Sequence, residues 1–249
     1  MSHHRFMRRA AKGLLFSSIA FSASSYASSY YNCANATGCV AVTTLSATSD
    51  YAKTKYPIVL AHGLGGWSKM FGLVDYFNGI PQDLTKNGAS VYVTKTSSVN
   101  DTEVRGEQLL QQVKTIIAIT GSPKVNLIGH SQGGIDIRYV AGVAPSLVSS
   151  VTAISSPEQG SKMADWTVKM VTEGSAADGL PAGEFNTASL MAIKFFELVG
   201  GVMDIGSGVP LNQLQQQDGW AAVNSLTTNY AAKFNQKFPT LTFKINFIS

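Results

Sequence analysis

Histidine is scarce in this chain and stops early: four of its 249 residues are histidines, and the last of them is His130. Within these residues, chemistry that needs an imidazole from beyond residue 130 is excluded. Charge is scarce too, since Asp, Glu, Lys and Arg make up only 14% of the chain. The basic excess is local. Arg5, Arg8, Arg9 and Lys12 account for it, and setting those four aside brings 19 basic residues down to 15, against 15 acidic ones. A balanced remainder gives no reason to expect a nucleic-acid partner. No internal repeat is evident. The apolar stretch at Leu14–Phe21 is too short and too rich in serine to span a bilayer. Cysteine occurs only as Cys33 and Cys39.

What is present at the start reads as a secretory signal over residues 1–27. The four basic residues form its positive end, Leu14, Leu15, Phe16, Ile19, Ala20 and Phe21 its apolar stretch, and Ser25-Tyr26-Ala27 a small-residue cleavage site. This predicts export through the periplasm, with no transmembrane anchor left after cleavage. In an oxidising compartment Cys33 and Cys39 can close a small loop. Two free thiols in a frayed N-terminus are the other reading, and export favours the disulfide. Residues 28–54, rich in Ser, Thr, Ala and Tyr, read as a lead-in, and residues 55–249 as the main domain. A hydrophobic content of 45% is enough for one sizeable core.

Four short apolar runs read as buried strands: Tyr56–Ala61, Ser90–Thr94, Val125–Ile128 and Val148–Ile154. Continuous runs of this kind suit a parallel sheet covered on both faces. Between them, Leu109, Val113, Ile116 and Ile117 recur at helical spacing from Val104 to Thr120. Asn100 with Glu103 marks the start of that helix and Gly121 its stop. A further helix is expected from Gln132 towards Val143, with Pro145 after it. Strands alternating with helices predict a doubly wound α/β sheet, with its site at the carboxyl ends of the strands.

The chemistry centres on Gly129-His130-Ser131-Gln132-Gly133, directly after a strand run and before a helix. That context is what a nucleophile elbow requires, and it makes Ser131 the candidate nucleophile. His62-Gly63-Leu64-Gly65-Gly66 follows the first of the four runs. In such a fold the backbone N–H groups of Leu64 and Gln132 would form the oxyanion hole. His130 is a poor base, because neighbouring side chains in a tight turn point apart, and His62 reads as structural. Asp165, Asp178, Asp204 and Asp218 follow the fourth run, and none is assigned as a catalytic acid, because no imidazole is there to orient. The segment Leu190–Met203 is apolar nearly all round, with Lys194 and Glu197 its only charges. It reads equally as a core helix or as a lid, over about residues 178–208, whose inner face meets lipid.

Together, Tyr56–Gly63, Glu103–Leu109, Val125–Ser131, Arg138-Tyr139-Val140 and Ser156–Ser161 resemble the secreted triacylglycerol lipases of Pseudomonas, Burkholderia and Acinetobacter type. The match runs from about Lys55 to about Pro239, loosely between Trp166 and Leu211. The resemblance implies an α/β-hydrolase with a lid, a mainly parallel sheet with helices on both faces, and cleavage of long-chain acylglycerols at an oil–water interface. It implies Ser131 as nucleophile and Leu64 and Gln132 as oxyanion residues. It also implies help from a membrane-bound lipase foldase, a structural calcium, and a disulfide in the C-terminal third. From Thr240 the chain departs from the family, ahead of the family's catalytic Asp, catalytic His and calcium ligands. The expectation is therefore an incomplete hydrolase domain lacking its last strands, truncated by a shifted frame or an early stop, with no calcium-ligand segment and feeble hydrolysis. The alternative is a non-catalytic lipid-binding remnant or an unstable fragment.

Overall fold

The computed structural model describes residues 27–35, 38–181, 184–239 and 245–248. The expected signal segment, apart from Ala27, lies outside the described residues. Strands β1 (Ala27–Asn35) and β2 (Gly38–Ser46) form a hairpin, followed by β3 (Ile58–Ala61) and two short strands, β4 (Lys69–Met70) and β5 (Val74–Asp75). Then come α1 (Ile80–Lys86), β6 (Val91–Thr94), α2 (Thr102–Thr120), β7 (Val125–His130), α3 (Gln132–Val143) and β8 (Val148–Ile154). The remainder holds α4 (Lys162–Ala177), α5 (Thr187–Gly206), α6 (Gly219–Asn224), α7 (Thr228–Lys237) and β9 (Ile245–Ile248).

The main sheet runs in the order β2-β1-β6-β3-β7-β8-β9. Every neighbouring pair in it is parallel except β1 with β2. Its central strands are covered on both faces, which is why they read as unbroken apolar runs. On one face Val59, Ala61 and Tyr92 pack with Leu109, Val113 and Ile116 of α2 and Ile137 and Val140 of α3. On the other face Ile58, Leu60, Val91 and Val93 meet Phe77, with Leu84 of α1 packed alongside. The side chains alternate between faces along each strand, so one residue of register slip would reverse both layers.

Three sequence expectations change. Residues 28–54 are not a lead-in: β1 pairs parallel to β6 and carries buried Tyr30 and Cys33 into the core. The start of α2 is Asp101 rather than Asn100, because the Asp101 carboxylate accepts from Glu103 N–H and Val104 N–H. Asn100 instead turns its side-chain amide to the Gln216 carbonyl at 2.7 Å. The core-helix reading of Leu190–Met203 fails, since Met191, Phe195, Phe196 and Leu198 of α5 are all more than half exposed. Cys33 and Cys39 are joined by a disulfide that ties the β1–β2 turn. No helix among the described residues is long and apolar enough to cross a membrane.

Candidate active site

Strand β3 lies beside β7, and Ala61 pairs with Gly129. The loops that leave the two carboxyl ends therefore emerge next to each other. Ser131 sits in the second of them, with φ 54° and ψ −127°. A non-glycine residue there carries strain of about 1–3 kcal/mol. The turn is held by the Ser131 N–H donating to the Ile154 carbonyl at 2.9 Å and by Gly134 N–H donating to the Ser131 carbonyl at 3.0 Å. Two glycines make room for it. A methyl group on Gly129 would lie 2.2 Å from the Gly133 carbonyl oxygen, and one on Gly133 would lie 2.4 Å from that of Ala61. The helix following Ser131 is thus packed backbone to backbone against both strands.

The loop after β3 faces this turn: a methyl on Gly63 would come within 2.8 Å of Ser131 Cβ. Among the described residues, neither the Leu64 N–H nor the Gln132 N–H has an acceptor. Both are available to an oxygen bound at the site. Their placement rests on buried polar contacts. Gln132 donates from Nε2 to the Asn100 carbonyl at 2.9 Å. Gly65 N–H donates to the Ser98 carbonyl at 2.7 Å, and Ser98 Oγ donates to the Gly66 carbonyl at 2.6 Å. The Tyr76 hydroxyl accepts from Gly63 N–H at 3.2 Å and lies 2.6 Å from His130 Nδ1. Loop 95–101 and Tyr76 thus brace the oxyanion candidates from two sides.

Arg105 and Asp136 complete that support. Neither is exposed, and Arg105 donates from Nε to Asp136 at 2.9 Å, from Nη1 to the Ser97 carbonyl, and from Nη2 to the His62 carbonyl at 2.7 Å. Burial pushes the Asp136 carboxyl up to about 6 despite the guanidinium beside it. Sequence reasoning missed Tyr76, Lys95, Arg105 and Asp136. The signal for Arg105 was its place one turn ahead of Leu109 on the apolar stripe of α2, where a charge needs a partner.

The two histidines that are described have structural surroundings. His62 is buried, its Nδ1 lies 2.8 Å from the Gly63 carbonyl, and its Nε2 accepts from Thr96 N–H at 3.2 Å. One tautomer satisfies both contacts, with the proton on Nδ1. Burial, aided by Arg105 and Lys95, holds this imidazole well below the ordinary histidine range, so it stays neutral. Neither His62 nor His130 is hydrogen-bonded to Ser131.

The four unassigned aspartates also have structural partners. Asp165 accepts from Thr228 N–H and Oγ1 at the start of α7, and Asp178 accepts from Asn186. Asp218 caps α6, and Asp204 pairs with Lys95. Among the described residues no group of three His, Cys, Asp or Glu could hold a metal ion. The ligand set for the calcium that the resemblance implies is therefore not found there.

Comparison with known proteins follows the same lines. A profile described as "alpha/beta hydrolase fold" matches residues 56–241. The triacylglycerol lipase of Vibrio cholerae is 46% identical over 189 residues, covering 76% of this chain and 56% of the relative. That of Burkholderia plantarii is 42% identical over 197 residues, covering 78% of this chain and 51% of the relative. The chain thus spans about half the length of the curated relatives it matches. Among solved structures, the mature Bacillus licheniformis lipase superposes with a TM-score of 0.52 at 22% identity, covering 78% of this chain and 65% of that one. At that identity the likeness concerns the fold.

Proposed function

The chain belongs to the α/β-hydrolase fold family, and from that premise we propose that it is a serine ester hydrolase of the triacylglycerol lipase type. The observation that carries this reading is Ser131, held at positive φ at the end of β7 and facing a loop whose Leu64 N–H has no acceptor among the described residues. In the reaction, Ser131 Oγ attacks the ester carbonyl carbon and gives up its proton to water. The charge developing on the carbonyl oxygen falls to the N–H groups of Leu64 and Gln132. One such donor is worth about 2.7–4 kcal/mol of transition-state stabilisation. Collapse of the intermediate breaks the ester C–O bond, and the departing oxygen takes a proton from water and leaves as the alcohol. Water then attacks the acyl-serine, releasing the fatty acid and returning a proton to Ser131 Oγ.

An acylglycerol substrate is supported by the relatives' names and by the exposed apolar side of α5, which suits a lid meeting lipid at a lipid–water interface. Export is supported by the leader-like composition of residues 1–27. Help from a foldase belongs to the same reading. With neither described histidine bonded to Ser131, the 249 residues by themselves are expected to hydrolyse esters slowly. Residual acceleration over water of roughly 10³–10⁴-fold from oxyanion hole and binding is the scale for a site without its base.

The test is hydrolysis of p-nitrophenyl butyrate by the purified chain and by Ser131→Ala. Slow turnover that disappears in the variant supports the reading. Equal rates in both proteins would overturn Ser131 as nucleophile. Turnover on the order of 10 s⁻¹, ordinary for an enzyme, would overturn the expectation of slow hydrolysis.

A further inference from the structure

Two buried charges take no part in the chemistry proposed above. Lys95, just past β6, and Asp204, in the last turns of α5, are 109 positions apart, and both side chains are wholly buried. Lys95 Nζ lies 2.5 Å from Asp204 Oδ1. The other carboxylate oxygen, Oδ2, accepts from Gln215 N–H at 3.0 Å and Gln217 Nε2 at 2.9 Å, so the carboxylate is fixed on both sides. Stability alone is a weak explanation for such a pair. Desolvation of two ions offsets most of their attraction, and an apolar pair of similar volume often serves as well or better. The desolvation is evident at Lys95, whose ammonium is pulled down to about 8 in spite of Asp204.

What the pair does provide is a connection. Lys95 Nζ also donates to Ser98 Oγ at 3.1 Å and to the Thr96 carbonyl at 2.5 Å. Having accepted from Lys95, the Ser98 hydroxyl donates to the Gly66 carbonyl at 2.6 Å. The Ser98 carbonyl takes the Gly65 N–H at 2.7 Å. An unbroken chain of hydrogen bonds, buried as far as Ser98 and Gly66, thus runs from Asp204 through Lys95 and Ser98 to Gly65 and Gly66, next to Leu64. An ammonium only donates, so Lys95 leaves the Ser98 hydroxyl to donate onward to Gly66.

We propose that Lys95 and Asp204 are positioning residues, through which the end of α5 sets the placement of the oxyanion loop at Leu64–Gly66. The proposal rests on the reading of Leu64 as an oxyanion donor. The seat of α5 on the fold and the geometry of the hole are then one coupled element, and coupling between them is reciprocal.

Amide hydrogen exchange of the full chain, resolved by NMR, tests this. Asp204→Asn alone would strand a buried ammonium, so the neutral double variant Lys95→Met/Asp204→Asn carries the first arm. The expected result is a folded protein whose Gly65 amide exchanges at least tenfold faster, while amides in the middle of α2 and in β7 keep their rates. The second arm is Ser98→Ala, which cuts the chain and leaves both ions in place. There the amides of the last turn of α5, and that of Ser207 just after it, are expected to exchange faster, and adding the double substitution should move Gly65 no further.

Unchanged Gly65 exchange in the folded double variant, or an undisturbed α5 end in Ser98→Ala, would overturn the proposal. Either arm suffices if the other variant does not fold. For the consequence on catalysis, the double variant should lower kcat for p-nitrophenyl butyrate at unchanged KM, because the Leu64 N–H acts in the transition state. A raised KM at constant kcat speaks against positioning. If the unaltered chain shows no Ser131-dependent hydrolysis, the hydrolase reading fails, and the exchange arms still decide the coupling.

Discussion

Arg105 Nη2 donates to the backbone oxygen of His62 at 2.7 Å, so a fully buried guanidinium holds the residue that opens the oxyanion loop. The same fork binds Asp136 and the Ser97 carbonyl. Removing it strands a buried carboxylate and frees two buried carbonyls. Arg105→Met is expected to cost about 3–5 kcal/mol, the range for breaking one side of a buried pair. Arg105→Lys should recover only part of that, since an ammonium cannot reproduce the planar fork. Urea unfolding of the three proteins checks both statements. Equal midpoints for the parent and Arg105→Met would remove Arg105 from the support of the loop.

Asp136 predicts an unusual pH dependence. Burial raises its pKa from 3.8 to about 6, so the folded protein holds this proton more tightly than the unfolded chain does. The stability linked to that proton is fully present below about 4 and is lost as pH rises through about 6, the reverse of an ordinary paired carboxylate. Asp136→Asn cannot titrate. The stability of the parent relative to Asp136→Asn should therefore decline between pH 4 and pH 6 and level off above. Denaturant unfolding across that window measures the difference. A difference that grows with pH would mean that Arg105 dominates and the carboxyl is held low.

Gly133→Ala tests the elbow's packing separately from its chemistry. The added methyl would stand 2.4 Å from the Ala61 carbonyl oxygen and 2.6 Å from that of His62. Both belong to backbone that cannot rotate away. Overpacking of this kind costs about 1–3 kcal/mol where side chains can adjust, and here the upper end or more is expected. The measurement is the thermal midpoint. Little change would mean that α3 can shift from β3 without loss.

Much of this site was legible in the sequence because it depends on local pattern. The apolar runs ending at Ala61 and Ile128, with glycine-rich turns after each, follow directly from a parallel sheet that must bury both faces and free its carboxyl ends. The β1–β2 hairpin was not legible. Its pairing register shifts between Tyr30 and Tyr31, which breaks the two-residue alternation that would have marked a strand. The braces of the oxyanion loop were hidden for a different reason. Arg105, Asp136 and Asp204 each look like a stray charge beside apolar neighbours, Lys95 looks like a solvated lysine between two threonines, and only the fold brings the partners together across 31 and 109 positions. The exposure of α5 was undecidable from periodicity, because a helix apolar on all sides has the same sequence pattern whether or not neighbours cover it.

That exposure leads to a last prediction. Phe195 and Leu198 of α5 are 61% and 66% exposed, while Gly200 and Asp204 of the same helix are buried. Alanine keeps the helix and removes only apolar surface. A core helix would lose about 2–5 kcal/mol for each such truncation. Here Phe195→Ala/Leu198→Ala should change stability by less than about 1 kcal/mol, because the side chains face water. If the exposed side meets lipid, the same pair of substitutions removes about 1.5–3 kcal/mol of burial per side chain at the interface. Partitioning onto phosphatidylcholine vesicles, measured by co-sedimentation, should then weaken tenfold or more. Unaltered stability with weakened partitioning assigns α5 to the interface. Lost stability would place both side chains against protein, and unaltered partitioning would take the lipid surface from α5 and leave it to the rest of the molecule.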